Sequence, residues 1–455
     1  MPTRTELKSA RRVDNRQKKR FLFSREMVEA ISGNGNVPEF IKEYRSQAWD
    51  EFEKLPIPTT REEAWRRTNL SRLPVDEFYP VSKENLTSES LFPIDAELLE
   101  PLAGDIHGGQ IVFTNEDVEV ELSSALAAEG VVFTDLDTAE RQHPDLLSLI
   151  MGKIVKSDEG KFAALAAAMS QKGIFLYVPQ GVHVELPLHS IIWAPGKDLA
   201  FFSHILVWLE EGASATYLHE AASPSEVDGH ALHAGLVEIY IGQGANFRFV
   251  ELQSWGEHVW NFSHERARID RDANLDWVFG AIGSRVTKNF SDIDLIGQGA
   301  SGRMSGFYFS DGVQHFDHDT QQNHLAPNTM SDLLYKGALR EHSRSVWQGM
   351  IYVAPGAQKT DGYQANRNLV LDSNARADSI PGLEILADDV RCTHGATIGK
   401  IDPDQVFYLR SRGIPYKDAE RLIVEGFFDP IMQRIPFGGV RARFQDAIQK
   451  KMGKY

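Results

Sequence analysis

A short phrase recurs through the second half of the chain and constrains its fold more than any other feature. Five versions read EEGASATY, GQGANFRF, DRDANLDW, GQGASGRM and APGAQKTD. Each has an alanine in a tight turn between two apolar, alternating segments, which is the pattern of short strands. The alanines are separated by 32, 28, 27 and 57 residues, and the last step is close to two steps of 28. They are Ala213, Ala245, Ala273, Ala300 and Ala357.

A repeat of this length indicates a stacked architecture. Helical solenoids are excluded because the units alternate with period two and lack long helical patterns. A propeller blade needs four strands in about 40 residues, so this unit is too short for one. We therefore predict an all-β core, a parallel β-helix from about Ile106 to Val406 with the small residue at a corner of each coil. On periodicity alone, a β-sandwich of similar hairpins stays the alternative.

Helical patterns flank this core. Residues 26–105 are expected to form an N-terminal helical module and its connection, since Pro38 suits a first helical turn and apolar residues follow near a 3.6 period. A helical insertion is expected near residues 145–170, which contain KFAALAAAM. Residues 407–455 return to helix. This C-terminal module is expected to cap the last coil, and a partner surface is the alternative explanation for it.

Composition narrows the class of protein further. A charged fraction of 25% and a hydrophobic fraction of 42% are typical of a globular protein. A single cysteine excludes an intrachain disulfide and favours a reducing compartment, so we expect a cytoplasmic location. No apolar run reaches the roughly 20 residues of a membrane span. The net charge of −16 argues against a nucleic-acid partner.

The charge is unevenly distributed. Residues 1–25 contain nine basic side chains and only two acidic ones. A transit peptide would also be basic, but it would be amphipathic and rich in serine. We therefore expect residues 1–25 to form a solvated, disordered tail, and a targeting or docking segment is the alternative.

The only cysteine lies in the stretch DDVRCTHGATIG. On a strand, period-two alternation places Cys392 and His394 on the same face. One thiolate and one imidazole cannot hold an iron–sulfur cluster or a structural zinc ion, which usually need four ligands. The pair is therefore either structural or half of a site that another molecule completes.

The stretch HFDHDTQQNH is rich in histidine, but strand geometry does not bring three of its possible metal ligands together. On a strand, His315 and Asp317 share one face, while His318 and His324 share the other. The chain also lacks the sequence patterns of nucleotide-binding loops, serine hydrolases and zinc proteases. A β-helix enzyme that acts on carbohydrate stays open as an alternative function, and it would require carboxylates clustered along one groove.

Longer segments resemble a known family. Four segments are similar to the SufB/SufD family of iron–sulfur cluster assembly scaffolds. The two upstream segments are REEAWRRTNL and GIFLYVPQGVHVELPL. The two downstream segments are QNHLAPNTMSDLLYKGALREHSRSVWQGMIYVAPGAQKTDGYQANRNLVLDSNARADSIPGLEILADDVRCTHGATIGKI and DQVFYLRSRGI. Within the family the chain resembles the SufD branch. It has Leu371 and Asp372 where SufB members carry a cysteine, and it has His394 where they typically carry a glutamate.

The resemblance implies a fold and a function. The implied fold is a right-handed parallel β-helix with α-helical N-terminal and C-terminal modules. The implied role is non-enzymatic: the chain pairs with a SufB-like subunit, and a SufC-like ABC ATPase docks on its C-terminal helices. A homodimer without SufB is the alternative assembly. No cofactor is expected to bind stably to the isolated chain.

A transient iron–sulfur cluster is implied at the subunit interface, where the resemblance gives His394 as this chain's cluster or metal ligand. For Cys392 two explanations stay open. It is either a weaker ligand of the same cluster or a buried cysteine that packs as a small apolar side chain.

Overall fold

The computed structural model describes residues 20–33, 37–81, 85, 94, 107–114, 117–194, 196–224, 228–435 and 437–453. The basic tail predicted for residues 1–25 lies largely outside these ranges, as does most of the connection between residues 82 and 106. Strands fill the middle of the described chain, and helices lie mainly towards its two ends.

The core is a parallel β-solenoid of eight coils, each built from one strand of each of two sheets. The predicted parallel β-helix is therefore confirmed, and the β-sandwich is excluded. Sheet one contains the strands Lys172–Val178, Leu199–Leu209, Ala231–Ile241, Val259–Ile269, Val286–Leu295, His315–His324, Arg344–Val353 and Arg376–Ile385. Sheet two contains the strands Leu188–Trp193, Ser214–Ala222, Asn246–Ser254, Asn274–Ala281, Ser301–Ser310, Met330–Leu339, Thr360–Val370 and Val390–Gly399.

The repeated alanines form the corners between sheet one and sheet two. All five are almost completely buried, and each follows a residue with positive φ. That conformation suits glycine, and it is tolerated by aspartate and asparagine. The long step of 57 residues conceals one further corner, where Asn328 has φ 58° and Thr329 takes the place of alanine. The positive-φ residues before the five alanines are Gly212, Gly244, Asp272, Gly299 and Gly356.

The beginning of the solenoid departs from the predicted all-parallel pairing. The strand Val118–Leu122 pairs antiparallel with Gly109–Phe113, and Val132–Asp135 pairs antiparallel with Lys172–Val178. Both antiparallel strands lie at the first edge of their sheet. They therefore occupy edges that would otherwise be open for pairing.

The N-terminal helices cover the outer face of sheet one. Trp49, Phe52 and Trp65 lie in one apolar core with Phe162 and Phe262. The inserted segment contains more helix than the pattern near residues 145–170 indicated, since it begins at residue 124. The helices of this half of the chain are Arg25–Gly33, Glu39–Lys54, Ser124–Ala128, Leu136–Gln142, Pro144–Ile150 and Lys161–Met169, with short 3₁₀ turns at Glu63–Trp65 and Ser157–Glu159.

The C-terminal helices are Pro403–Ser411, Tyr416–Met432 and Gly438–Met452. The last two pack against the outer face of sheet two, where residues such as Phe307 and Phe309 are fully buried. The expectation that this module caps the last coil is therefore wrong: it lies along the side of the solenoid. The last strand ends at residue 399, before the predicted limit near Val406. Among the described residues, no helix is long and apolar enough to cross a membrane.

Candidate functional site

The solenoid ends in a coil that has a neighbour on one side only. Its strands Arg376–Ile385 and Val390–Gly399 each pair with the preceding strand of their own sheet, and no described strand pairs with their outer edges. Apolar side chains of this coil are open to solvent, with Leu386 and Ile398 each 50% exposed. We call these two strands and their connection the open end. An unpaired edge with exposed apolar side chains is a surface suited to a partner.

Cys392 lies at the open end, half-buried against a small apolar group from the preceding coil. Ile351, Val353 and Ala357 form this group and are almost completely buried. Burial raises the pKa of the Cys392 thiol above its usual value. The thiol therefore stays protonated near neutral pH, which makes it a poorer metal ligand than a thiolate.

His394 lies two positions further along the same strand and is exposed. Its neighbour in the parallel ladder is Gln364, which is completely buried and donates a hydrogen bond from Nε2 to the Gly382 carbonyl oxygen at 2.9 Å. His394 thus occupies a position that is buried one coil earlier. It is exposed because no described strand continues the stack, so its imidazole can meet a second molecule.

The HFDHDTQQNH stretch is the strand His315–His324, and its histidines divide between two faces as alternation predicts. His318 and His324 point into the solenoid and are fully buried, whereas His315 contacts Thr68 of the N-terminal module through a 2.8 Å hydrogen bond. Over the described part of the chain, no group of three or more histidine, cysteine, aspartate or glutamate side chains is placed to hold a metal ion.

A polar group inside the solenoid was not apparent from the sequence. Glu265 accepts hydrogen bonds from Asn289 at 2.6 Å and from Ser291 at 2.9 Å, and a carboxylate oxygen of Glu251 is buried nearby. Burial raises the pKa of Glu265 to about 7 and raises that of Glu251 as well. At least one of the two carboxyl groups is therefore protonated at neutral pH. Strand alternation alone could not reveal them, because it does not distinguish polar interior positions from polar surface positions.

The helix Pro403–Ser411 presents aromatic side chains to solvent. Phe407 is 73% exposed and Tyr408 is 56% exposed. The Arg412 guanidinium lies 5.0 Å from the centroid of the Tyr408 ring, and Tyr416 is also exposed at the start of the next helix. Aromatic and arginine side chains are enriched in the energetically important parts of protein interfaces. This aromatic surface, made by Phe407, Tyr408 and Tyr416, is therefore suited to a protein partner.

Comparison with known protein families covers both the open end and the aromatic surface. The family model described as "SUF system FeS cluster assembly, SufBD core domain" matches residues 192–427. The model described as "SufBD protein N-terminal region" matches residues 21–189. The chain belongs to the SufB/SufD family. The core match includes the open end and the helix that carries the aromatic surface.

Relatives within the SufB/SufD family align over almost the whole chain. The iron–sulfur cluster assembly protein SufD of Bacillus subtilis (strain 168) is 31% identical over 94% of this chain and 97% of its own length. SufB of the same organism is 29% identical over 91% of this chain and 90% of its own length. A SufBD family protein of Staphylococcus saprophyticus is 28% identical over 90% of this chain and 89% of its own length. The family inferred from the sequence is confirmed, and of the two Bacillus proteins SufD is the more similar.

Proposed function

We propose that this chain is a non-enzymatic scaffold subunit that pairs with a SufB-like subunit through the open end. The observation that carries the proposal is the position of His394 on an unpaired, exposed terminal strand. A second solenoid that adds its own terminal strands would satisfy the free backbone groups and cover Leu386 and Ile398. A second copy of this chain could occupy the same surface when no SufB-like subunit is present.

In this proposal the interface holds a nascent iron–sulfur cluster as cargo. His394 supplies an imidazole ligand, and the partner supplies the remaining ligands. A site split between subunits explains why this chain has so few candidate ligands. Cys392 is a weaker candidate than His394 because it is half-buried and its thiol pKa is raised. The assembled subunits would build the cluster in the cytoplasm and transfer it to client proteins.

A SufC-like ATPase would dock on the aromatic surface. Phe407 and Tyr408 lie on a helix that follows the last coil directly, so movement of the docked ATPase could be transmitted to the open end. The helices after Arg412 cover the outer face of sheet two. Their deletion would uncover buried apolar residues such as Phe307, so substitutions on the exposed surface test this role more cleanly than a truncation.

The alternative of a carbohydrate-active enzyme has less support. A groove of about 520 Å³ crosses sheet two and contains Asp276 and Asp332. Asp276 accepts hydrogen bonds from Arg248 at 3.1 Å and from Arg303 at 2.8 Å. Both Asp276 carboxylate oxygens are thus occupied by arginine side chains, which indicates a structural role in the groove rather than a site for contact with a glycosidic oxygen.

Co-purification tests the proposal directly. The chain is expressed with candidate SufB-like and SufC-like subunits, and the purified complex is reconstituted anaerobically with iron and sulfide. We expect a stable complex with the visible absorbance of an iron–sulfur cluster, and no stable cluster on this chain alone. Failure to associate with a SufB-like subunit, or a stable cluster on the isolated chain, would contradict the proposal.

A further inference from the structure

A basic pocket lies on the opposite side of the molecule from sheet two. It is formed between residues 67–72 of the N-terminal module and the first residues of several sheet-one strands, and its volume is about 430 Å³. A pocket of this size suits a small molecule. We call it the arginine pocket because four guanidinium groups line it, those of Arg67, Arg72, Arg285 and Arg344.

The strand register explains why residues distant in sequence meet here. In sheet one, Trp260 pairs with Val286, Val286 with His315, and His315 with Arg344. These side chains therefore form a row across the beginnings of four neighbouring strands. Trp260 is almost completely buried, so it forms a rigid wall of the pocket.

Hydrogen bonds hold the other wall in place. The Thr68 hydroxyl donates to the Asp317 carboxylate and also lies 2.8 Å from His315 Nε2. Asp317 in turn accepts a hydrogen bond from Lys288 Nζ at 2.9 Å, and both of these side chains are fully buried. Lys288 Nζ also lies 3.7 Å from a second carboxylate, that of Asp319. The wall is therefore held in place by buried charged side chains that lie behind Thr68 and His315.

The charge of the pocket is unbalanced. No aspartate or glutamate is among its lining residues, and over the described ranges none of its four arginines forms an ion pair. Arg67 Nη1 is buried without a hydrogen-bond partner in the same ranges. Elsewhere in the solenoid, arginines such as Arg303 and Arg376 are paired with aspartates. In a chain of net charge −16, four guanidinium groups without carboxylate partners around one cavity make a local positive patch that a bound anion would neutralise.

His315 contributes hydrogen bonding rather than charge. Burial lowers the pKa of its imidazole, and this effect, with smaller ones from Lys288 and Arg344, outweighs the opposite influence of Asp317 and Asp378. The ring is therefore neutral at neutral pH. The positive charge of the pocket comes from the arginines, whose guanidinium groups bind phosphate oxygens in a planar, two-point geometry.

We propose that the arginine pocket binds a small molecule that carries a diphosphate group. Several guanidinium groups can neutralise more negative charge than a single carboxylate carries, and Asn69 and Ser71 in the lining add polar groups. The volume exceeds that of one inorganic phosphate, which leaves room for a second phosphate or an organic group beside Trp260. This binding function is separate from cluster assembly and does not depend on the proposed SufB-like partner.

Isothermal titration calorimetry with sodium pyrophosphate tests the proposal on the full-length chain. We expect saturable binding at one site, weakened as sodium chloride is raised because the contacts are ionic. Arg72→Ala and Arg344→Ala each remove an exposed guanidinium and should weaken binding about tenfold. Arg376→Ala is the matched control. Arg376 is next to Arg344 in the same ladder but is paired with Asp378, so its removal should leave affinity unchanged.

Two further titrations decide what kind of anion the pocket takes. Citrate at the same concentration should bind at least tenfold more weakly than pyrophosphate if the pocket is built for phosphate. An acidic peptide that binds while pyrophosphate does not would show that the arginines recognise a protein, and it would overturn the proposal. Equal pyrophosphate affinity in the wild type, Arg72→Ala and Arg344→Ala proteins, or no binding at all, would also overturn it. Circular dichroism of each variant checks that the fold is retained.

Discussion

Cys392 lies directly opposite Gly362 in the parallel ladder of the last two coils. A methyl group on Gly362 would come within 3.2 Å of Cys392 Sγ and 3.4 Å of His324 Nε2. The absence of a side chain at residue 362 therefore makes room for the thiol inside the coil. Packing explains the position of Cys392 without any role for it in binding a cluster.

This packing predicts the effect of Cys392→Ser. The substitution changes volume little but adds a hydroxyl beside Ile351 and Val353, so it should lower the free energy of unfolding by about 1–2 kcal/mol. Cluster assembly by the complex should be nearly unchanged. Urea unfolding of the chain and anaerobic reconstitution of the complex measure the two effects. A complex that assembles normally but forms no cluster would identify Cys392 as a required ligand.

The open end predicts that a charge placed there blocks pairing. Leu386→Lys puts an ammonium group on a surface that would be buried in the heterodimer, and it should weaken association with a SufB-like subunit at least tenfold. Ile296→Lys is the matched control, since Ile296 is an exposed apolar residue in an earlier coil, 37% accessible to solvent. Analytical ultracentrifugation or surface plasmon resonance measures the affinity. Equal loss in both variants would show that the effect is not specific to the open end.

The aromatic surface predicts a separate loss of ATPase docking. Phe407→Ala and Tyr408→Ala remove exposed rings without uncovering the core, so each should weaken binding of a SufC-like subunit by about tenfold or more while the fold is retained. Tyr79→Ala removes an exposed ring far along the chain and serves as the control. Pull-down with the tagged ATPase compares the three variants. Normal ATPase binding by Phe407→Ala and Tyr408→Ala would exclude this surface as the docking site.

The buried imidazole of His318 should make the free energy of unfolding depend on pH. Its ring lies between Phe279 and Tyr308, neither nitrogen has a hydrogen-bond partner among the described residues, and burial lowers its pKa to about 3. Between about pH 6.5 and 3 the unfolded chain binds a proton at His318 that the folded chain does not. His318 thus lowers stability as pH falls, by about 1.4 kcal/mol per pH unit, and has no such effect above pH 6.5.

Replacement by leucine isolates this effect. Relative to the wild type, His318→Leu should gain about 2–3 kcal/mol in free energy of unfolding between pH 7.5 and pH 4.5. Urea unfolding at the two pH values measures the difference, and His342→Gln, at an exposed histidine, is the control. A difference that stays constant with pH would mean that His318 is accessible to protons in the folded chain.

The sequence predicted the solenoid because its corners impose a strict local requirement. A residue with positive φ followed by a small buried residue recurs at six successive corners between sheet one and sheet two, and at five of them it is visible as the alanine phrase. The corner at Thr329 was not recognised from the sequence, because there asparagine supplies the positive φ and threonine is the small buried residue. Strand alternation likewise placed Cys392 and His394 on one face and divided the histidines of the strand His315–His324.

Longer-range placement could not be predicted from local patterns. The helix Tyr416–Met432 has an apolar stripe, but a stripe does not specify which apolar face it will cover. Its packing against sheet two, rather than over the last coil, leaves the open end exposed. The arginine pocket likewise joins Arg67 to Arg344 through sheet register, which no local spacing encodes.

The central claim is that His394 serves a cluster held between this chain and a partner. The most direct measurement compares His394→Ala with the wild type and Cys392→Ser, each co-expressed with SufB-like and SufC-like subunits in cells that depend on this pathway. After assembly of each complex is confirmed, the activity of a client iron–sulfur enzyme is measured. The account predicts that His394→Ala complexes assemble but that client activity falls at least tenfold, with partial recovery in His394→Cys because thiolate is also a soft ligand. Normal client activity with His394→Ala would contradict it.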